Sequence, residues 1–314
     1  MEYIIDKFYI DPYVLNDINN RDWEKIPFDT NVYRVLDKDS AQLIIFKIFS
    51  LDDLKNMSNY FLLENDITKY YLGLIRINLD QNLELLSLPI FEMKNVFFFT
   101  FDLRDHVLMD NNIKPLRGVT IPTLYKFSRT NEVEFDNIRK YFFSFKGNCN
   151  KNGWYDCSNV RKKLKYLTRN TKTYYSFLYE DTSEHGVNTC KKIYEDILLN
   201  SVYSIVSHGN GRWSHRLVES MGAGAIPVII SDGLTLPFEQ IIDYSNACII
   251  IKENDLYNLN DIHSFTDFLP KDKDTINKLQ LNAYEIYNKF FKNNMLICDM
   301  LLLSAKIEKQ NSEV

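Results

Sequence analysis

The 314-residue chain has no apolar run approaching the roughly twenty residues of a membrane-spanning helix, and no secretory leader at its N-terminus. Starting at Met1, it reads as a protein that works in a cytoplasm. Its wealth of Asn, Lys, Ile and Tyr points to an AT-rich genome, of a bacterium, a protist or a large virus, and for a virus the compartment is the host cytoplasm. Surplus positive charge is missing too. With 37 Lys and Arg against 42 Asp and Glu, the net charge of -5 argues against a nucleic-acid or anionic-membrane surface. Cysteine is sparse: Cys149, Cys157, Cys190, Cys248 and Cys298 are odd in number and fit no zinc spacing, so reduced, buried thiols are expected. No G-x-G-x-x-G turn stands near the N-terminus, which removes the usual dinucleotide-binding enzymes.

What is present is a soluble composition, 45% hydrophobic and 25% charged, with length enough for two domains or one two-lobed molecule. The chain is organised around residues 201–251. Val202 to Val206 is a buried-strand run, closed by Gly209 and Gly211. A helix is expected to start at Ser214, capped by its hydroxyl, and to stop at Gly222 or Gly224. Pro227 to Ile230 opens a second buried strand. Strand, turn, helix, strand is a nucleotide-binding unit of a parallel sheet. Arg212 and Arg216 bracket the helix's first turn, where free N–H groups already favour an anion such as a diphosphate. Glu219, one turn on, is placed to accept the hydroxyls of a ribose. An arginine and a glutamate on one helix also make an ordinary surface ion pair, so these residues alone leave both readings open.

The longer pattern decides more. Gly209, then Ser214-His215-Arg216 with Glu219, then Gly224-Ala225-Ile226-Pro227-Val228-Ile229-Ile230-Ser231-Asp232, Leu236-Pro237-Phe238 and Ile242-Asp243-Tyr244 resemble the C-terminal signature of the exostosin-like glycosyltransferases. Ala225 stands where that family usually has Cys, and His208 where animal members often have Arg. In the N-terminal half, Asn95 to Asp102 resembles the family's aromatic strand ending in a carboxylate. Gly118 to Pro122 resembles its D-V-V-I-P strand, with Gly118 in place of Asp. Tyr141 to Gly147 fits its F-x-G element, and Arg161, fourteen residues after Gly147, opens a helix as the family's arginine does.

The resemblance implies an α/β protein of GT-B architecture: two Rossmann-like lobes with a cleft between them and a C-terminal helix crossing back. The lobes are then 1–135 for the acceptor and 136–275 for the nucleotide-sugar, with returning helices and a disordered tail over 276–314. It further implies an inverting transferase that moves a sugar from a UDP-sugar to a hydroxyl of a glycan acceptor, giving a β-linkage. A non-catalytic subunit that binds sugar or a partner is the alternative. Asp102 and His106 are candidates for the general base, Asp102 having helix-turn capping as its plain alternative. The donor residues implied are Lys146, Gly147, Arg161, His208, Gly209, Arg212, Ser214, Arg216, Glu219, Pro227 and Asp232. Arg161 also reads as part of a solvated basic helix face with Lys162 and Lys163. The triplets Asp37-Lys38-Asp39 and Asp272-Lys273-Asp274 follow no apolar strand, so they read as surface charge and neither a catalytic metal nor a cofactor is expected.

Several further elements are legible. Strands are expected at Ile4-Ile5, Ala41 to Phe49, Tyr174 to Tyr179 and Ala247 to Lys252. Helices are expected from Asp52 to Leu63 with Leu54, Met57, Phe61 and Leu62 inward, and from His185 to Asn200. A short helix should begin at Leu236-Pro237. From Asp272 to Ile307 one or two helices are expected, with Leu279, Leu281, Tyr284, Ile286, Tyr287, Phe290 and Phe291 as a broad apolar face.

Overall fold

The structure is a computed structural model that describes residues 8–10, 41, 43–48, 51–64, 70–75, 88–91, 93, 95–100, 118–120, 135, 139–146, 158–168, 175–178, 187–207, 214–232, 234 and 236–292. The chain forms two compact units, one of Met1–Pro122, Thr235–Ile242 and Asn293–Val314, the other of Thr123–Leu234 and Asp243–Lys292.

In the first unit, β1 (Phe8–Ile10), β2 (Leu43–Ile48), β3 (Tyr70–Ile75), β4 (Val96–Thr100) and β5 (Gly118–Thr120) pair in chain order, every pair parallel. β2 and β4 are the runs LIIFKI and VFFFT, rich in the β-branched and aromatic residues that favour strands. β3 is an element the sequence pattern hides, because Gly73 interrupts its apolar run. The helix α1 (Leu51–Glu64) buries Leu54 and Ser58. Leu62, expected inward, is 57% exposed. At 3.6 residues per turn it points about 80° away from Leu54.

The second unit holds β6 (Tyr141–Lys146), α2 (Ser158–Thr168), β7 (Tyr175–Leu178), α3 (Val187–Leu199), β8 (Ser201–Val206), α4 (Arg216–Gly222), β9 (Ile226–Ile230) and β10 (Ile249–Ile251). It continues through α5 (Glu253–Tyr257), α6 (Ile262–Thr266) and α7 (Lys273–Ile286), which ends in a π turn, Tyr287–Phe291. Its sheet is parallel, in the order β10-β9-β8-β6-β7. Alternate strand residues Phe143, Phe145, Tyr203, Ile205, Ile226, Val228 and Ile230 share one buried cluster with Val160, Leu164 and Leu167 of α2 and Phe265 of α6. Between Phe143 and Phe145, Tyr203 and Ile205, and Ile226 and Val228 lie Ser144, Ser204 and Pro227, which are neighbours across the sheet. This lets α4 lie close to the sheet, with Ser220 Oγ 2.8 Å from Ser204 Oγ.

Two parallel, Rossmann-like α/β units in one chain are the building blocks of the GT-B class, and the expected α/β, GT-B class stands. Three local expectations are corrected. Helix α4 begins at Arg216 and not at Ser214, although the Ser214 Oγ accepts from the Arg216 N–H at 3.3 Å, as a capping hydroxyl does. Leu236-Pro237-Phe238 forms a turn rather than a helix: Phe238 has a φ of 53° with its ring fully buried, and its carbonyl accepts from the N–H groups of Ile241 and Ile242 at 2.8 and 2.9 Å. On α7, Gln280 and Ala283 take the buried positions while Leu281 is 46% exposed. Gln280 can be buried because its Nε2 donates to the Gly224 carbonyl at 2.9 Å. The pair Ile4-Ile5 and the tail after Lys292 lie outside the described residues.

Candidate functional site

Parallel α/β sheets bind ligands beyond the carboxyl ends of their strands, at the point where strand order reverses. In the second unit that point is between β6 and β8: the chain passes from β6 outward to β7, then returns to place β8 on the other side of β6. The described strands of the first unit run in chain order without a reversal. The side chains gathered past the ends of β6 and β8 are therefore the ones to read.

Phe145, next to last in β6 and 1% exposed, supplies an aromatic face. The Arg216 guanidinium lies over it with Cζ 4.5 Å from the ring centroid, and Arg161 lies against the same ring at 5.5 Å. Arg161 comes from the first turn of α2, and its Nε donates to Ser207 Oγ, just past β8, at 3.3 Å. Arg216, first residue of α4, donates through Nη2 to the Lys146 carbonyl at the end of β6. Its Nε and Nη1 are buried without a protein acceptor. Two guanidinium groups on one ring repel each other and are costly to desolvate, an arrangement that fits an anion bridging them.

Glu219 is 5% exposed, one turn into α4. Tyr194 of α3 donates its hydroxyl to Glu219 Oε2, and the Tyr194 ring centroid is 5.7 Å from Arg216 Cζ. Burial raises the Glu219 carboxyl above its ordinary value, opposed by the Tyr194 hydrogen bond and by the charges of Arg216 and His215. Burial also pushes the Tyr194 phenol far up, so it remains a donor across the working pH range. The hydroxyl-to-carboxylate hydrogen bond and the burial make Glu219 a held group rather than half of a solvated ion pair.

Of the residues expected to bind a donor, Lys146, Arg161, Ser214, Arg216 and Glu219 come together here. Pro227 and Asp232 stand apart. Pro227 is buried in β9 in register with Ser204, and Asp232 is exposed, its Oδ1 accepting from the Glu253 N–H at 2.9 Å. Gly147, His208, Gly209 and Arg212, like Asp102 and His106, lie outside the described residues. Phe145, Tyr194 and Ser207 were not anticipated. Tyr194 carried a signal: it falls four residues after Cys190 and three before Ile197, the spacing that puts all three on one helix face. Among the described residues no group of three or more His, Cys, Asp or Glu is placed to hold a metal ion, and Asp272 of the second acidic triplet caps α7 through the Thr275 N–H at 2.8 Å.

The Exostosin GT47 domain matches residues 94–264, more than half the chain and all of this cluster. The chain belongs to that family. It is 25% identical over 225 residues to the exostosin-1 homolog of Caenorhabditis elegans, covering 62% of this chain and 54% of that protein. It is 27% identical over 170 residues to the probable beta-1,4-xylosyltransferase IRX10 of Arabidopsis thaliana, covering 52% and 38%. The chain thus spans about half the length of the first relative and less of the second. Among solved structures, the lipopolysaccharide outer core galactosyltransferase WaaB in its apo form aligns over 98% of this chain and 99% of that one, at 10% identity and a TM-score of 0.45.

Proposed function

We propose that this exostosin-family protein is an inverting glycosyltransferase that passes a sugar from a UDP-sugar to a hydroxyl of a glycan acceptor. The observation that carries the reading is the placement of Arg161 and Arg216 on the Phe145 ring at the strand-order reversal, with two Arg216 nitrogens, Nε and Nη1, lacking acceptors among the described residues. The two guanidiniums would hold the diphosphate, and Glu219 the ribose. In the reaction the acceptor oxygen attacks the anomeric carbon from the face opposite the diphosphate. The sugar–oxygen bond to the diphosphate breaks, and UDP departs with the electron pair. Asp102, or His106, would take the acceptor proton. An α-linked donor then yields a β-linked product.

Charge appears on the leaving diphosphate as that bond stretches, and fixed cations beside it lower the barrier. This is the work a divalent ion does in other transferases, so the reading includes metal-independent turnover. A cytoplasmic place of action goes with it.

Calorimetric titration of UDP into the wild-type protein and into Arg216→Ala tests the donor assignment. Loss of one charge-assisted contact predicts an affinity drop of about 10- to 100-fold in the variant. Equal affinities would remove Arg216 from the donor site. Turnover is tested separately, by donor hydrolysis or transfer across a panel of UDP-sugars. UDP binding with no turnover for any sugar, in the presence of glycan acceptors, would favour the non-catalytic subunit.

A further inference from the structure

Tyr194 is the residue of α3 that reaches both working groups of α4. Its hydroxyl donates to Glu219 Oε2, and its ring lies 5.7 Å from Arg216 Cζ. A glutamate has three rotatable side-chain bonds, and in a buried position its orientation is set by whatever donor it meets. Here that donor is on another helix. We propose that Tyr194 is a positioning residue of the donor site: its hydroxyl fixes the Glu219 carboxylate and its ring helps fix the Arg216 guanidinium, so one side chain sets both donor contacts. The inference rests on the donor reading above.

The groups that act electrically on Glu219 are Tyr194 and Glu195 from α3, with His215 and Arg216 from α4. Tyr194, Arg216 and His215 favour the carboxylate, whereas Glu195 and burial favour the acid. Removing only the Tyr194 hydroxyl takes away one of the three supports of the charged form, and Glu219 then keeps its proton to a higher pH. Ribose hydroxyls donate best to the ionised carboxylate, so UDP binding should follow that titration.

The experiment compares the wild-type protein with Tyr194→Phe, which keeps the ring against Arg216. Two quantities are read: the carboxyl titration of Glu219 by carbon-13 NMR without nucleotide, and the UDP affinity by calorimetry over pH 5 to 9. The variant is expected to shift the Glu219 midpoint upward by about one pH unit, to bind UDP about tenfold more weakly at pH values below the wild-type midpoint, and to recover much of that loss above its own midpoint. An unmoved Glu219 midpoint overturns the proposal. So does a shifted midpoint with unchanged UDP affinity, or an equal loss of affinity at every pH, which marks a merely structural tyrosine. A wild-type protein that binds no UDP sinks the donor reading and this inference with it, whereas UDP binding that ignores Tyr194 sinks the inference alone. Circular dichroism and the melting temperature of the variant separate misfolding from both, and a misfolded Tyr194→Phe is replaced by Glu219→Gln with Tyr194 intact. In that protein the pH dependence of UDP binding assigned to the Tyr194–Glu219 contact should vanish, and its persistence counts against the proposal.

Discussion

A guanidinium taken out of water needs acceptors for its N–H groups or an aromatic face to lie on, and Arg216 finds only part of this within the protein. Phe145 and Tyr194 supply the faces, the Lys146 carbonyl takes Nη2, and Nε and Nη1 remain. Glu219 is the nearby group with the opposite problem, an acid whose burial opposes ionisation. Its carboxyl is raised in the folded state, so the folded protein binds the proton more tightly than the unfolded chain does. Its contribution to stability is thus fully present below the ordinary glutamate range and is lost as pH rises through the raised value. Glu219→Gln keeps the shape and an oxygen for Tyr194 but removes the charge. The variant is expected to be at least as stable as the wild type in urea at neutral pH, with a flatter pH dependence above the ordinary carboxylate range. It should nevertheless bind UDP about 10- to 100-fold more weakly. Reduced stability with intact UDP binding would make Glu219 a structural residue.

At the scale of elements, α4 is short and owes its termination to Gly224. That residue has a φ of 66°, and the N–H groups of Gly224 and Ala225 return to the carbonyls of Met221 and Ser220 at 3.0 and 2.9 Å. This is the left-handed glycine stop anticipated from Gly-Ala-Gly, and it turns the chain directly into β9. Gly222 has a different task, because a Cβ there would sit 2.9 Å from Cε2 of the Tyr287 ring in the π turn after α7. Gly222→Ala is therefore expected to destabilise by about 1–3 kcal/mol despite alanine's better helix propensity, measured by urea unfolding. Combining it with Tyr287→Ala should cost less than the sum of the two changes, and strict additivity would contradict the packing argument.

The strands that the sequence made legible are those with β-branched or aromatic runs: β2, β4, β6, β7, β8, β9 and β10. β3 escaped because Gly73 breaks its run, and α5 and α6 because five residues carry too little periodicity to separate a helix from a turn. Leu236-Pro237-Phe238 misled for a related reason. Proline suits a helix's first turn, but Phe238 is held in a left-handed conformation by its buried ring, a tertiary effect with no local signature. At the site, Arg161, Arg216 and Glu219 were picked out by the resemblance to the exostosin family, because their own spacing also suits a surface ion pair and a solvated helix face. Phe145 and Tyr194 were not, since aromatic residues on inward faces read as core filler until the arginines are seen lying on them.

For the whole molecule, the formal charge of -5 repels the proposed anionic donor in bulk, so its recognition would have to be local. Local recognition has a thermodynamic signature that does not depend on a partner ion. A ligand that binds only the native state stabilises it by about 2.7 kcal/mol when present at a hundred times its dissociation constant, and a cation-paired diphosphate needs no divalent metal to reach that value. UDP is thus expected to raise the melting temperature equally in EDTA and in millimolar magnesium or manganese. The increase should shrink as salt is added, because guanidinium–phosphate attraction at a partly open site is screened. Arg216→Ala should abolish most of the increase in either buffer. A shift that appears only with a divalent ion, or that survives in Arg216→Ala, would mean that the diphosphate is held by something other than the two arginines on Phe145.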